Sequence, residues 1–324
     1  MERDKYIDTL KFVLIFLVVL GHVIAPYIDD PINRTAKNFI FLFHMPLFIF
    51  ISGYFSKTTD YTKFKKSILR LFETLLIFQL IYRMPDIINL SFSWQDLITP
   101  RWTLWYLLSL IFWKIFVFYI PKNIKYINVI WVSILCSLLV GFIPVDYTLS
   151  FQRTFVFLPF FILGYYSDKL VFDKIKSIPK LIPYTILIAT IALFYLVGED
   201  FSPIMSGSNS YYFNPVSVQL SFLFRLLFLL FAFVLSISVI NIVPTLTKIS
   251  ALGKDTLLYY LYHGFAVILL NKMVDIFHIP TNFLALLIYA TIIMLGIFVL
   301  SKFKISSILL NPISYFLKKQ IKIN

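Results

Sequence analysis

The first place where side chains of this sequence are spaced to do chemistry is Ile7-Asp8-Thr9-Leu10-Lys11, followed by Leu20-Gly21-His22. On a helix that turns about 100° per residue, Lys11 and His22 end about 20° apart after three turns and about 16 Å apart along the axis. Asp8 stands one turn before Lys11 on the same stripe and can pair with it. A positioned imidazole can act as a general base near neutral pH, and an ammonium can hold an anion. The plainer reading is a snorkelling lysine with an interfacial aspartate, and a histidine bonded to a neighbouring carbonyl.

Further polar side chains stand in apolar runs, where lipid makes them costly unless they face a protein interior or a cavity. Phe43-His44-Met45-Pro46-Leu47 puts an imidazole beside a proline that frees a backbone carbonyl, and Ser52-Gly53 follows one and a half turns later. Ser52 and Gly53 read either as small residues for close helix approach or, for Ser52, as a functional hydroxyl. Lys66, Arg70 and Glu73 share one stripe, and Lys65 adjoins it. Glu73 either neutralises Arg70 or leaves Lys65, Lys66 and Arg70 to hold phosphates at a cytosolic mouth. Arg225, in Phe222-Leu223-Phe224-Arg225-Leu226, is too deep to stand unpaired and points to a cavity role. Arg153 can snorkel, and His263 fits a cavity wall or packing. GxxxxGK[ST], HExxH, GxSxG and GxGxxG motifs do not occur, which leaves ATP-driven transport, zinc proteolysis and the common hydrolase fold without support. No metal site is expected.

The elements that must carry these residues follow from composition. Of 324 residues 60% are hydrophobic and 14% charged, with a mean hydropathy of +0.86. A soluble domain is nearer 45–50% apolar and about 25% charged. The excess of Lys and Arg gives a net charge of +13, but with 19% aromatics it fits a bilayer rather than nucleic acid. One cysteine, Cys136, excludes an intrachain disulfide and a thiolate zinc site. The expected fold is all-α and polytopic, with about ten transmembrane helices near 6–27, 38–56, 67–84, 102–120, 125–145, 151–167, 180–198, 216–243, 256–274 and 281–301. With the N-terminus inside, the inner connections carry 19 Lys and Arg and the outer ones 6, so both termini are expected in the cytoplasm. The domain is expected over 1–302. An amphipathic inner-leaflet helix is expected over 303–324, where Ile305, Ile308, Leu309, Ile313, Phe316 and Leu317 have helical spacing and Lys302, Lys304, Lys318 and Lys319 stand at the two ends.

Taken together, Asp8-Thr9-Leu10-Lys11 with Val19-Leu20-Gly21-His22, Phe43-His44-Met45-Pro46-Leu47-Phe48 running into Ser52-Gly53-Tyr54, Leu104-Trp105-Tyr106-Leu107, the Leu158–Tyr166 run and Tyr260-Leu261-Tyr262-His263 carry a resemblance. The sequence resembles the membrane-bound acyltransferase-3 family, and within it the stand-alone acetylases likened to fucose 4-O-acetylase. The resemblance implies acyl transfer from cytosolic acetyl-CoA to a glycan hydroxyl on the far side of the membrane. It also implies that Lys11 and His22 are a functional pair, although many members carry arginine at the first position. The family's Arg-x-x-Arg motif is imperfect here, because Ser67 stands where its first arginine would be and leaves Lys66 and Arg70.

The leading expectation is therefore an O-acetyltransferase of the bacterial cytoplasmic membrane, with acetyl-CoA as a substrate and no permanently bound cofactor. His22, Lys11, Asp8 and Arg225 are its expected catalytic residues, with Arg225 placed to stabilise developing oxyanion charge. Lys65, Lys66 and Arg70 are expected on the donor, and His44, Ser52, Glu73, Trp105, Arg153 and His263 on the acceptor. A glycan or lipid-linked glycan, the bilayer and a polysaccharide-assembly protein are the expected partners, and no nucleic acid is. A transporter or flippase for a lipid-linked sugar or small carboxylate would use the same charges, and a membrane scaffold would need none of them.

Overall fold

Asp4 starts the first helix, its carboxylate accepting from the backbone N–H groups of Tyr6 and Ile7 that a helix start leaves free. Asp30, Asp60, Asp168, Ser217 and Asn282 cap later helices in the same way. The computed structural model describes residues 4–303 apart from 146, 215 and 251, and among the described residues it is helical with no strand. The principal helices are α1 (Lys5–Ile24), α2 (Pro31–Tyr54), α3 (Tyr61–Tyr82), α4 (Trp105–Tyr119), α5 (Tyr126–Leu139), α6 (Phe151–Val156), α7 (Leu158–Tyr166), α8 (Lys169–Lys176), α9 (Leu181–Val197), α10 (Val218–Ile242), α11 (Thr256–Phe277) and α12 (Phe283–Leu300). Single turns connect some of them.

Six of these stretches are long and apolar enough to cross a membrane, and α8 with α9 makes a seventh if the two, bent by 82°, count as one span. The protein is a multi-pass membrane protein on this count. Three of the ten expected spans differ for local reasons. Helix α3 carries Lys63, Lys65, Lys66, Arg70 and Glu73. The α5 stretch is short. The 151–167 stretch breaks at Phe157, ahead of Pro159. Lys37, expected in an outer connection, lies inside α2, because Asp30 and Pro31 start that helix early and Asp200 neutralises the lysine at 3.0 Å. The tail expected over 303–324 lies, except for Phe303, outside the described residues.

Helix α1 is the axis of the bundle: 67% of its apolar window is buried, against 22% for α12. That position makes its Asp8–Lys11–His22 stripe an interior stripe. Helices α2 and α7 approach until their backbones touch, since a methyl on Gly53 would meet the Phe161 carbonyl and one on Gly164 the Phe50 carbonyl. This contact fixes Ser52 one residue away. The two ends of the bundle are held differently. At the Asp8 end, Thr9 bonds the Leu246 carbonyl, Gly253 packs on the Asp8 backbone, and Lys57 donates to the Ser167 carbonyl. At the His22 end, Tyr27 bonds Asn271, Asn33 donates to the Thr281 carbonyl, and Arg83 pairs with Asp86 and Asp96 at 3.0 and 2.7 Å.

Candidate active site: two cavities along one helix

The α1 stripe passes two cavities. Near the Asp8 end, a cavity of about 250 Å³ is lined by Lys11, Ser52, Ser56, Tyr106, Lys114 and Tyr260 among apolar neighbours. Lys11 pairs with Asp8 at 2.9 Å and sits 5.1 Å from the Phe55 ring centre. Ser52 lies 2.6 Å from the Tyr106 hydroxyl and donates to the Phe48 carbonyl at 2.9 Å. A carbonyl can only accept, so the bond between the two hydroxyls is donated by Tyr106.

Near the His22 end, a smaller cavity of about 80 Å³ is lined by His22, His44, Thr103, Trp105, Arg153 and Tyr260, with Phe41 and Ser206 in its wall. The His44 Nδ1–H donates to the Ile40 carbonyl at 2.8 Å, four residues back, which leaves Nε2 free to accept. Arg153 donates from Nε to the Ser206 carbonyl and lies 5.1 Å from the Trp105 ring centre. His263 stacks beside His22, ring centres 5.3 Å apart, and donates from Nδ1 to the Tyr259 carbonyl. Its buried Nε2 has no partner. No protein group among the described residues hydrogen-bonds His22. Its ring is held instead by Trp102 at 5.2 Å and Phe41 at 5.8 Å.

Tyr260 borders both cavities. Its ring is 4% exposed, its hydroxyl donates to the Thr103 carbonyl, and Tyr106 packs across it at 5.3 Å. The partition is thus a fixed aromatic wall between the side with the lysines and the side with the imidazoles. No group of three or more His, Cys, Asp or Glu among the described residues is placed to hold a metal ion.

The structure gathers His22, His44, Arg153 and Trp105 around one cavity, with His263 behind His22, and Lys11 and Ser52 around the other, with Asp8 paired to Lys11. It holds Arg225 elsewhere. That guanidinium donates to the Ser137 and Asn209 carbonyls and faces the Tyr211 ring at 5.1 Å. It ties α10 to α5 and to the 201–214 connection and lines neither cavity, so the expected oxyanion role has no geometric basis here. Lys65, Lys66 and Arg70 are exposed on the first turns of α3 and line neither cavity. Glu73 is half-buried on the same helix, also outside both linings.

Sequence reasoning missed Lys114 and Trp102. Lys114 had a legible signal, a lone cation in Ile111-Phe112-Trp113-Lys114-Ile115-Phe116. Trp102 had none: it reaches His22 and His263 because its φ of 49° turns the chain where α4 begins. Gly264 makes room for it, since a methyl there would meet both the Trp102 ring and the Tyr82 hydroxyl.

Comparison with known proteins adds a family. The profile described as an acyltransferase domain, Acyl_transf_3, matches residues 4–302. The nodulation protein NolL of Sinorhizobium fredii (strain NBRC 101917 / NGR234) is 42% identical over 66 residues, covering 18% of this chain and 17% of that protein. The chain therefore spans less than a fifth of that relative's length. No solved structure matches.

Proposed function

The chain belongs to the acyltransferase-3 family, and from that premise we propose that it is a membrane O-acetyltransferase, taking the acetyl group of cytosolic acetyl-CoA to a hydroxyl of a cell-surface or lipid-linked glycan beyond the bacterial cytoplasmic membrane. The observation that carries the reading is the pair of cavities on one helix, one walled by cations and the other by imidazoles, with Tyr260 between them. In the same reading the chain crosses the membrane ten times with both termini in the cytoplasm. The helix ends support this, because successive long stretches run alternately between the Asp8 end and the His22 end.

A sugar hydroxyl is a poor nucleophile near neutral pH, and a histidine that takes its proton as the new bond forms makes it a competent one. His22 is that base. It removes the hydroxyl proton, the oxygen attacks the thioester carbonyl, the C–S bond breaks, and the thiolate leaves and takes a proton. His44 and Arg153 hold the acceptor, and Lys11, its charge balanced by Asp8, holds the donor side. Two routes remain, each of which needs Tyr260 to move aside for the acetyl group: direct attack on a thioester that reaches past it, or a covalent relay in which His22 or Ser52 carries the acetyl group. Trapping labelled protein by rapid quench separates them.

The test is transfer of label from [acetyl-14C]acetyl-CoA to envelope glycan in purified membranes, with wild type against His22→Ala at matched expression. Loss of labelling in the variant supports the reading. Undiminished labelling removes His22 as base. No labelling by wild type with intact glycan present removes acetyl-CoA as donor.

A further inference from the structure

Lys114 poses a question that the mechanism above leaves open. Its ammonium belongs to a helix of which Trp113 on one side and Val117 on the other are buried, and the lysine itself is half-buried. It lines the larger cavity, and it also lines a narrow crevice with Ser56, Thr58, Phe64, Ser67, Phe118 and Tyr165. Ser56 and Lys114 are common to the two spaces, so the crevice and the cavity adjoin at this side chain. The other cation of the cavity, Lys11, has Asp8 at 2.9 Å. Lys114 has no ion pair and no hydrogen bond among the described residues. A half-buried cation within an apolar bundle carries a desolvation cost that a counter-ion offsets, and the described residues place none beside it.

We propose that Lys114 is the binding residue for a diphosphate group, with the coenzyme A moiety of the donor threading past it so that the thioester arm lies in the cavity beside Ser52 and Lys11. The inference rests on the acyl-CoA reading for the identity of the anion, and on the unpaired cation for its charge. Size agrees with a partial fit. Pockets that enclose a drug-sized ligand measure about 300–1,000 Å³, and the cavity's 250 Å³ takes only the slender arm of so long a donor. The remainder must lie outside the cavity, towards the first turns of α3, because the crevice itself, about 10 Å³, is too small to take it. Lys65 and Lys66 stand there, adjacent to Ser67 of the crevice wall, where they meet the exposed end of the donor rather than its diphosphate. A lysine suits this place because its single ammonium reaches two phosphate groups as a point charge without the planar fork of arginine.

The experiment is equilibrium binding to the purified full chain in detergent, using three probes: coenzyme A, pantetheine, which has no phosphate, and inorganic pyrophosphate. Lys114→Gln is expected to weaken coenzyme A about ten- to a hundredfold while pantetheine binding stays within about twofold. Lys114→Arg is expected to restore most of the loss. The thermal midpoint of each variant reports whether it is folded. Unchanged coenzyme A affinity in a folded Lys114→Gln protein overturns the assignment, and so does an equal loss of coenzyme A and pantetheine, which marks a collapsed cavity. Wild type that binds pyrophosphate through Lys114 but not coenzyme A keeps the anion site and removes the acyl-CoA reading. Wild type that binds neither phosphate probe overturns both.

Discussion

The two cavities differ in the chemistry their walls can supply, although one helix serves both. The wall near Asp8 offers two ammoniums and five hydroxyls, and of the two ammoniums only Lys11 has a carboxylate beside it among the described residues. The wall near His22 offers two imidazoles and a guanidinium; a carbonyl bond fixes the ring of His44, and another fixes His263 beside His22, leaving an Nε2 free on each. The first set can hold an anion and has no good base, and the second can move a proton and has one modest cation site at Arg153. The cations and the imidazoles are therefore separated by about three turns of α1 and by one tyrosine ring.

The largest effect that bears on this division is His22→Ala. Transfer to glycan is expected to fall by about 10²–10⁴, while coenzyme A affinity, measured on the same preparation, is unchanged. Equal losses in both would mean that the cavities do not work separately. Tyr260→Ala comes next, because it opens the wall between them. It is expected to lower glycan transfer on the order of tenfold and to raise thioester hydrolysis without acceptor, since an active site that admits water loses its reactive acyl group. Tyr260→Phe keeps the ring and loses only the bond to Thr103, so it should stay near wild type. The ratio of hydrolysis to transfer measures both variants. Arg225→Met is expected to destabilise the protein by about 2 kcal/mol, by leaving the Ser137 and Asn209 carbonyls unpaired, yet to keep activity per folded molecule. A specific activity lost with an unchanged thermal midpoint would return Arg225 to the chemistry.

Much of the architecture was legible because lipid constrains composition. The apolar runs and their punctuating charges put helices where spans were expected, six or seven of them long and apolar enough to cross a membrane among the described residues, and helical arithmetic put Lys11 and His22 on one stripe of what is a continuous helix. What composition cannot give is which faces meet. Arg225 and Arg153 look alike in sequence, each a cation in an apolar run, but Arg225 meets backbone carbonyls of α5 and the 201–214 connection while Arg153 meets the His22 cavity. The difference depends on helix rotation set by contacts such as Gly53 on the Phe161 backbone, which no local pattern encodes. Lys114 was readable as an intramembrane charge, whereas its lack of a partner among the described residues was not, because absence of an ion pair is a property of the packed bundle. Trp102 depends on a left-handed backbone at a residue type that seldom adopts it, and so left no trace in the sequence.

The smallest expected effect concerns pH and separates the two ends of the molecule. Burial by itself would raise the Asp200 carboxyl, but the backbone N–H and hydroxyl of Ser202 and the Lys37 ammonium together outweigh it and hold the group below the usual carboxylate range. A carboxyl depressed in the folded state adds stability above its unfolded value, about 3.9, and that contribution disappears as pH falls through the folded value. The pair is partly exposed and contributes at most about 1 kcal/mol. Wild type should therefore melt slightly above Asp200→Asn at pH 6, and the gap should close as the pH is taken below about 4. Lys37 lies 6.0 Å from the Phe41 ring, which in turn packs on His22 at 5.8 Å and His44 at 5.0 Å. Loosening it should therefore raise the KM for acceptor while coenzyme A binding, some three turns of α1 away, stays constant. A matched change in both would show that the two cavities share one mechanical unit and that Tyr260 does not isolate them.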